Sequence, residues 1–145
     1  MAKGISGSPI EGVKIALDDF PQIAKKIRST DVYDVLDLTD WLSHMTISET
    51  ILHPGKHTKG HSHDNHEEVY LFLEGLGEME LGTGGEDDYR FPVGPKDLVP
   101  IRAGIFHRVY NTMSDGDLKV LCVFEKYEER DKEAGQPGKG LEMLR

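Results

Sequence analysis

Histidines that could bind a metal ion are concentrated in one short stretch of the sequence. Five of the seven histidines lie between positions 53 and 66, namely His53, His57, His61, His63 and His66. Residues two apart in a strand point to the same face, so His61 and His63 would present their imidazoles side by side. Glu68 opens the next apolar stretch and could add a carboxylate, and His107 is the only histidine in the second half of the chain. These four residues are the candidate metal ligands.

Three imidazoles and a carboxylate form a mixed nitrogen and oxygen donor set. This set suits one divalent transition-metal ion, which could be Fe, Mn, Ni, Co or Zn. It is compatible with octahedral geometry and would leave positions open for water or a substrate, as catalytic sites require. The other histidines are expected at exposed or rim positions, with His57 also a candidate base; they are His44, His53, His57 and His66.

Glycine and proline recur through the middle of the chain and predict short strands joined by turns. Turn signals include Pro54-Gly55, Glu74-Gly75, Gly94-Pro95 and Ala103-Gly104. We expect strands at VYDVLDL, at Leu42 to Leu52, and near 68–73, 76–82, 89–93, 97–101, 106–112 and 118–126. This number and spacing indicate an all-β sandwich or closed barrel. Its expected core includes Leu71, Leu73, Leu98, Val109, Leu121 and Val123.

The chain divides into three predicted regions. Residues 1–40 form an N-terminal extension, with a short helix or turn at about Phe20 to Arg28 and an edge strand at VYDVLDL. Residues 41–126 form the barrel. Residues 127–145 are charged and rich in glycine, which predicts a mobile tail or a short terminal helix.

Composition excludes several classes of partner. With 26 acidic and 17 basic residues the formal charge is −9, which disfavours nucleic acid and anionic lipid. No uninterrupted apolar run exceeds five residues, as in Val120 to Phe124, whereas a membrane span needs about 20. The N-terminal sequence MAKGISGSPIEG lacks an apolar secretory segment. The lone Cys122 cannot form a disulfide within the chain and is expected to be a small buried hydrophobe. We therefore expect a cytoplasmic protein.

The spacing of the candidate ligands resembles the first motif of the cupins, G-x5-H-x-H-x3-4-E-x6-G. Every position is satisfied, by Gly55, His61, His63, Glu68 and Gly75. Glu67 would fit the shorter spacing of the carboxylate, but only Glu68 leaves six residues before Gly75. The resemblance covers about Leu42 to Glu125 and implies a double-stranded β-helix, or jelly-roll, barrel with the metal inside its wider mouth. It also implies a homodimer.

The second cupin motif, G-x5-P-x-G-x2-H-x3-N, is partly present. Gly104, His107 and Asn111 match it, while Lys96 replaces the first glycine and Arg102 replaces the proline. The departures concern turns and leave the ligand His107 in place. Arg102 is a candidate substrate-binding residue as an anion anchor, with a plain turn or surface residue as the alternative.

Within the cupins, TKGHSH followed by EVYLFLEGLG is similar to the archaeal-type, metal-dependent glucose-6-phosphate isomerases. That likeness implies that Thr58 and Gly60 contribute to a sugar-phosphate site and that Tyr70 stands beside the metal. Lys59 shares the strand parity of His61, so it is expected to project into the barrel as a further substrate-binding residue. Tyr70 would donate to a developing oxyanion, and the candidate catalytic bases are Glu68, if it leaves the metal, or His57.

Three functions are compatible with these residues and with the resemblance. The first is an enzyme that isomerises a small polar substrate, such as a sugar phosphate, with the help of the metal. The second is an Fe(II)-dependent dioxygenase or lyase of a small organic molecule, since the same ligand set could bind oxygen. The third is a non-catalytic domain that binds a small ligand through its metal.

Overall fold

Short antiparallel strands make up nearly all of the regular structure. The computed structural model describes residues 5–8, 12–38 and 41–125. Its strands are β1 (Ile5–Ser8), β2 (Gly12–Ile15), β3 (Lys25–Ser29), β4 (Tyr33–Asp37), β5 (Met45–Leu52), β6 (Glu68–Glu74), β7 (Gly77–Gly82), β8 (Tyr89–Val93), β9 (Leu98–Ile101), β10 (Phe106–Asn111) and β11 (Leu118–Glu125). A 3-10 turn (Leu17–Asp19) and one helical turn, α1 (Phe20–Ile23), separate β2 from β3. The predicted tail at 127–145 lies outside the described residues.

Two sheets form the body of the fold. The larger has the order β3-β4-β5-β11-β6-β9 and the smaller the order β10-β7-β8, with every neighbouring pair antiparallel. Strands β1 and β2 form a separate two-stranded sheet. The order within both sheets places strands distant in sequence side by side, as in a jelly roll. The all-β prediction is confirmed.

The alternation of side chains along each strand divides the larger sheet into two faces. On β6, Tyr70 and Phe72 belong to the core cluster shared with the smaller sheet, while Leu71 and Leu73 pack against a second cluster on the opposite face. We call these the inner and the outer face. The lone Cys122 is buried on the inner face, as expected from its apolar surroundings.

The N-terminal segment covers part of the outer face. Phe20 is 1 % exposed and packs in the outer cluster with Leu36, Leu38 and Leu121. Pro21 lies in the first turn of α1. Backbone N–H groups in a first turn have no intrahelical partner, so the missing N–H of proline costs no hydrogen bond there.

Two predictions for the N-terminal extension are wrong. The helix expected to reach Arg28 ends at Ile23, because residues 25–29 instead pair with β4 and gain a ladder of hydrogen bonds. Four residues of helix have little stability of their own, so this pairing prevails. For the same reason the VYDVLDL strand is not an edge strand, since β4 lies between β3 and β5.

The core prediction also needs one correction. Leu98 is 58 % exposed, because its cross-strand partner is Leu71 and both therefore lie on the outer face. Nothing in the described structure covers that face at β9, whereas Val99 and Ile101 point inward and are buried. Val109 and Leu121 are buried as predicted; Leu71, Leu73 and Val123 are half-buried.

One position shows how the second motif departs from its pattern. Lys96, which replaces a motif glycine, has φ of 74°, the left-handed conformation that glycine adopts without steric cost. The turn therefore has a backbone conformation typical of glycine although its residue is a lysine.

Within the described part of the chain, no helix is long and apolar enough to cross a membrane.

Replacing Phe20 with alanine should destabilise the whole fold. The side chain is fully buried on the outer face, so we expect a loss of about 3–5 kcal/mol in the free energy of unfolding. Urea unfolding measures this loss. Leu17→Ala, in the same segment but at a 41 % exposed residue, is the control and should cost less than about 1 kcal/mol. Equal stability of Phe20→Ala and the unchanged protein would contradict the packing described here.

Candidate metal centre

Backbone pairing places two of the candidate ligands side by side. The segment before β6 runs along β10, where His61 N donates to His107 O at 3.1 Å and His107 N donates to His61 O at 2.9 Å. Residues paired in this way point their side chains to the same face. Their imidazole rings accordingly meet edge to face, with centroids 4.2 Å apart.

Glu68, the first residue of β6, brings a carboxylate to these rings. Its Oε1 lies 3.0 Å from His63 Nε2 and 3.9 Å from His61 Nε2, and its Oε2 lies 3.5 Å from His107 Nε2. Each of the four side chains is less than a tenth exposed. The neighbouring Glu67 is exposed, so of the two glutamates only Glu68 faces the histidines.

One hydrogen bond of His107 determines which of its two ring nitrogens carries the proton and which carries a lone pair. Its Nδ1 lies 3.0 Å from the carbonyl oxygen of Ile105, which can only accept, so Nδ1 carries the proton in the neutral ring. Nε2 then presents a lone pair towards Glu68. Two electron-rich groups facing each other in a buried site favour a cation between them.

The buried nitrogens of His61 support the same conclusion. Neither Nδ1 nor Nε2 of His61 has a hydrogen-bond partner among the described residues, and the Nε2 of His107 also lacks one. Buried polar atoms are rarely left without a partner. The ligand atoms of His61, Glu68 and His107 lie within 4.8 Å of one another, so these three residues could hold a metal ion. His63 lies outside this trio but contacts Glu68 directly.

The pKa values of His61 and Glu68 are both lowered, for different reasons. Burial lowers the pKa of His61 to about 4, against the weaker opposing effect of Glu68, so the ring is neutral at pH 7. Burial would raise the pKa of Glu68, but the closeness of the His107, His61 and His63 imidazoles holds it well below its ordinary value. A carboxylate beside a neutral imidazole is the protonation state that metal binding requires.

Tyr70 lies beside this cluster, as the resemblance implied. It is buried on the inner face two residues after Glu68, and its ring meets the His107 ring at 87° with centroids 5.5 Å apart. The aromatic ring therefore forms part of the wall around the candidate ligands.

Two of the predicted substrate-binding residues have structural contacts. The Oγ1 of buried Thr58 accepts a hydrogen bond from Val109 N at 3.0 Å and so attaches the ligand-bearing segment to β10. Gly60 has φ of 82°, and a Cβ at this position would collide with the ring of Phe106. The space beside Gly60 is therefore occupied by the Phe106 ring.

The predicted cationic residues lie at the surface. Arg102 is exposed in the turn between β9 and β10. Lys59 is also exposed, so the expectation that it projects into the barrel is wrong. The left-handed conformation of Gly60 separates Lys59 from His61 and breaks the strand parity on which that expectation depended.

The remaining histidines are separate from the cluster. His57 is exposed, and its Nδ1 contacts Thr58 O at 2.8 Å. His44 is exposed, as expected. His53 and His66 were expected to be exposed but are half-buried, because His53 contacts Asp117 and Asp34 and His66 contacts Glu125.

The structure adds a buried polar patch that was not predicted from the sequence. Thr46 pairs with Phe124, which lies one strand from Glu68, and Ser48 pairs with both Asp37 and Cys122. Asp37, Thr46 and Ser48 are all buried on the inner face. Alternation in TISETIL, with Thr46, Ser48 and Thr50 opposite the isoleucines, is the signal that could have revealed it.

Comparison with known proteins agrees with this architecture. Residues 48–124, more than half of the chain, match the Cupin domain family. The auxin-binding protein T85 of Nicotiana tabacum is 30 % identical over 103 residues, which cover 59 % of this chain and 54 % of that protein. The chain thus spans about half the length of this curated relative.

Two solved structures show the same fold. The crystal structure of a predicted oxalate decarboxylase from Thermotoga maritima has a TM-score of 0.59 at 20 % identity, covering 72 % of this chain and 94 % of that one. KdgF from a Halomonas species has a TM-score of 0.57 at 14 % identity, covering 72 % of this chain and 89 % of that one. The resemblance inferred from the ligand spacing is confirmed, and the chain belongs to the cupin domain family.

Proposed function

We propose that the chain binds one divalent transition-metal ion through His61, His63, Glu68 and His107. The observation that carries this proposal is the burial of the Glu68 carboxylate among imidazole nitrogens that have lone pairs to offer. The donor set suits Fe, Mn, Ni, Co or Zn. When bound, the ion would act as a Lewis acid that polarises substrate oxygens.

The inner face supports a substrate that is polar but not strongly anionic. The patch formed by Asp37, Thr46 and Ser48 contains a carboxylate and two hydroxyls on the same face of the larger sheet as the candidate metal centre. Among the described residues, no lysine or arginine is buried. A phosphate group would therefore have to lie at the rim, within reach of exposed side chains such as Lys59 or Arg102.

We infer that the reaction is isomerisation of a small hydroxylated carbonyl compound. Such a reaction moves a proton between neighbouring carbons while charge develops on an oxygen. Tyr70 would donate a hydrogen bond to that oxygen, and Glu68, once it leaves the metal, could accept the proton. Thr58 and Gly60 would contribute to substrate binding indirectly, by holding the ligand-bearing segment in place.

Each of two alternative functions is favoured by a specific observation. The likeness to a predicted oxalate decarboxylase and the aromatic residues Phe72 and Phe124 on the inner face favour a lyase or Fe(II)-dependent dioxygenase of a small organic molecule. The partial match to an auxin-binding protein favours a domain that binds a small ligand without catalysis. The homodimer and the cytoplasmic location are further predictions from the sequence.

Substitutions of the proposed ligands should remove the metal. We expect His61→Ala, His63→Ala, His107→Ala and Glu68→Gln each to weaken metal binding by at least about a hundredfold, because each removes a donor from a buried site. Elemental analysis of purified variants measures the metal content. Glu67→Gln is the matched control, since this glutamate is exposed. Loss of metal from Glu67→Gln, or full retention in the ligand variants, would refute the assignment.

The reaction class can be tested on the natively purified protein once its metal has been identified. With that ion present, we expect aldoses or ketoses to interconvert without oxygen uptake or release of CO2, and Tyr70→Phe to slow the conversion. Product analysis beside an oxygen electrode distinguishes the classes, and His44→Ala, an exposed histidine, serves as the control. Oxygen uptake or CO2 release without isomerised product would instead establish the oxygenase or lyase alternative.

A further inference from the structure

A cavity lies on the outer face of the larger sheet, away from the candidate metal centre. It has a volume of about 290 Å³, which is room for a small organic molecule rather than a single ion. Its apolar wall consists of Leu17 and Pro21 from the N-terminal segment and Leu73 from β6. The segment that covers the outer face thus leaves one part of it open.

Glu49 is the polar group that distinguishes this cavity. It lies in the middle of β5, pairs across the sheet with Leu36 and Leu121, and points to the outer face. The residue is 2 % exposed, yet its Oε2 has no hydrogen-bond partner among the described residues. A buried carboxylate in this position is costly unless a donor or a cation meets it.

The other charged groups of the cavity do not satisfy this need. Lys119 contacts Glu74, with Nζ 3.1 Å from Oε2, so this cation already has an anionic partner. Asp18 adds a further carboxylate to the lining. The described lining therefore has three carboxylates and one ammonium group, and it would attract a cation and repel an anion.

The pKa of Glu49 also reflects its burial. Burial raises the pKa of Glu49, and the attraction of Lys119 opposes this rise only in part. A bound cation in contact with the carboxylate would favour its charged form.

We propose that this cavity binds a small organic ammonium ion, with its charged group on Glu49 and its short apolar chain against Leu17, Pro21 and Leu73. The ammonium ion supplies the hydrogen-bond donors that Oε2 lacks. A bare divalent cation would leave the apolar wall uncovered, and a neutral alcohol would leave the excess negative charge uncompensated. Glu49 and Glu68 project from opposite faces of the same sheet, so this site is independent of the proposed metal centre.

NMR titration of the full chain with n-butylammonium chloride tests this proposal. We expect saturable amide shifts around Glu49, Leu73 and Lys119, and no comparable shifts with butan-1-ol, which has nearly the same shape but no charge. Glu49→Gln should weaken butylammonium binding by at least about tenfold, because it removes a charge-assisted hydrogen bond. Asp19→Asn makes the same change of charge beside the cavity but outside its lining, and it should leave the affinity unchanged.

Several results would overturn the proposal. Absence of saturable shifts, equal binding of butan-1-ol, or unchanged affinity in Glu49→Gln would each do so. Stronger shifts at the same residues with MgCl2 would assign the cavity to a metal cation instead. The comparison of butylammonium with butan-1-ol uses the unsubstituted chain, so it decides the question even if Glu49→Gln does not fold.

Discussion

The carboxylate of Glu68 is surrounded by three imidazole rings in the interior of the barrel, and this contact constrains much of the surrounding structure. Burying a carboxylate away from solvent is energetically costly, and a cation held between it and the imidazole nitrogens would offset that cost. Because His61 and His107 are paired through their backbones, the segment before β6 must keep its register with β10. Two contacts maintain that register. Val109 N donates a hydrogen bond to Thr58 Oγ1, and the ring of Phe106 packs where a side chain at Gly60 would lie.

The two faces of the larger sheet have different chemical roles. On the inner face, one row of paired residues runs from Tyr70 through Cys122 and Ser48 to Asp37, and the Phe124–Thr46 pair lies beside it. The inner face therefore has buried polar groups as well as the candidate metal centre, while Phe72, Val120 and Leu52 form an apolar core further along the same face. The N-terminal segment covers part of the outer face, where a cavity lies at Glu49.

The strands and the candidate site could be predicted because both depend on local sequence patterns. Turn residues marked the ends of β6 to β11 to within about two residues. The spacing from Gly55 to Gly75 selected Glu68, whose carboxylate the structure places against three histidines. His107 was found because the second motif retains it although two turn positions differ.

What could not be predicted depends on contacts between distant segments. The helix at Phe20 ends early because residues 25–29 pair with β4, and that pairing also makes β4 an interior strand. Leu98 is exposed because no element covers β9 on the outer face in the described structure. Lys59 is directed to solvent by the left-handed turn at Gly60, a conformation that strand parity does not anticipate.

The most direct test of the proposed metal centre is a crystal structure of the protein purified with its native metal, with diffraction recorded at the absorption edge of that element. We expect one anomalous peak within coordination distance of His61, His63, Glu68 and His107, with the His107 ring held by the carbonyl of Ile105. A strong peak elsewhere, or direct hydrogen bonds among these four side chains with no metal between them, would contradict the proposed centre.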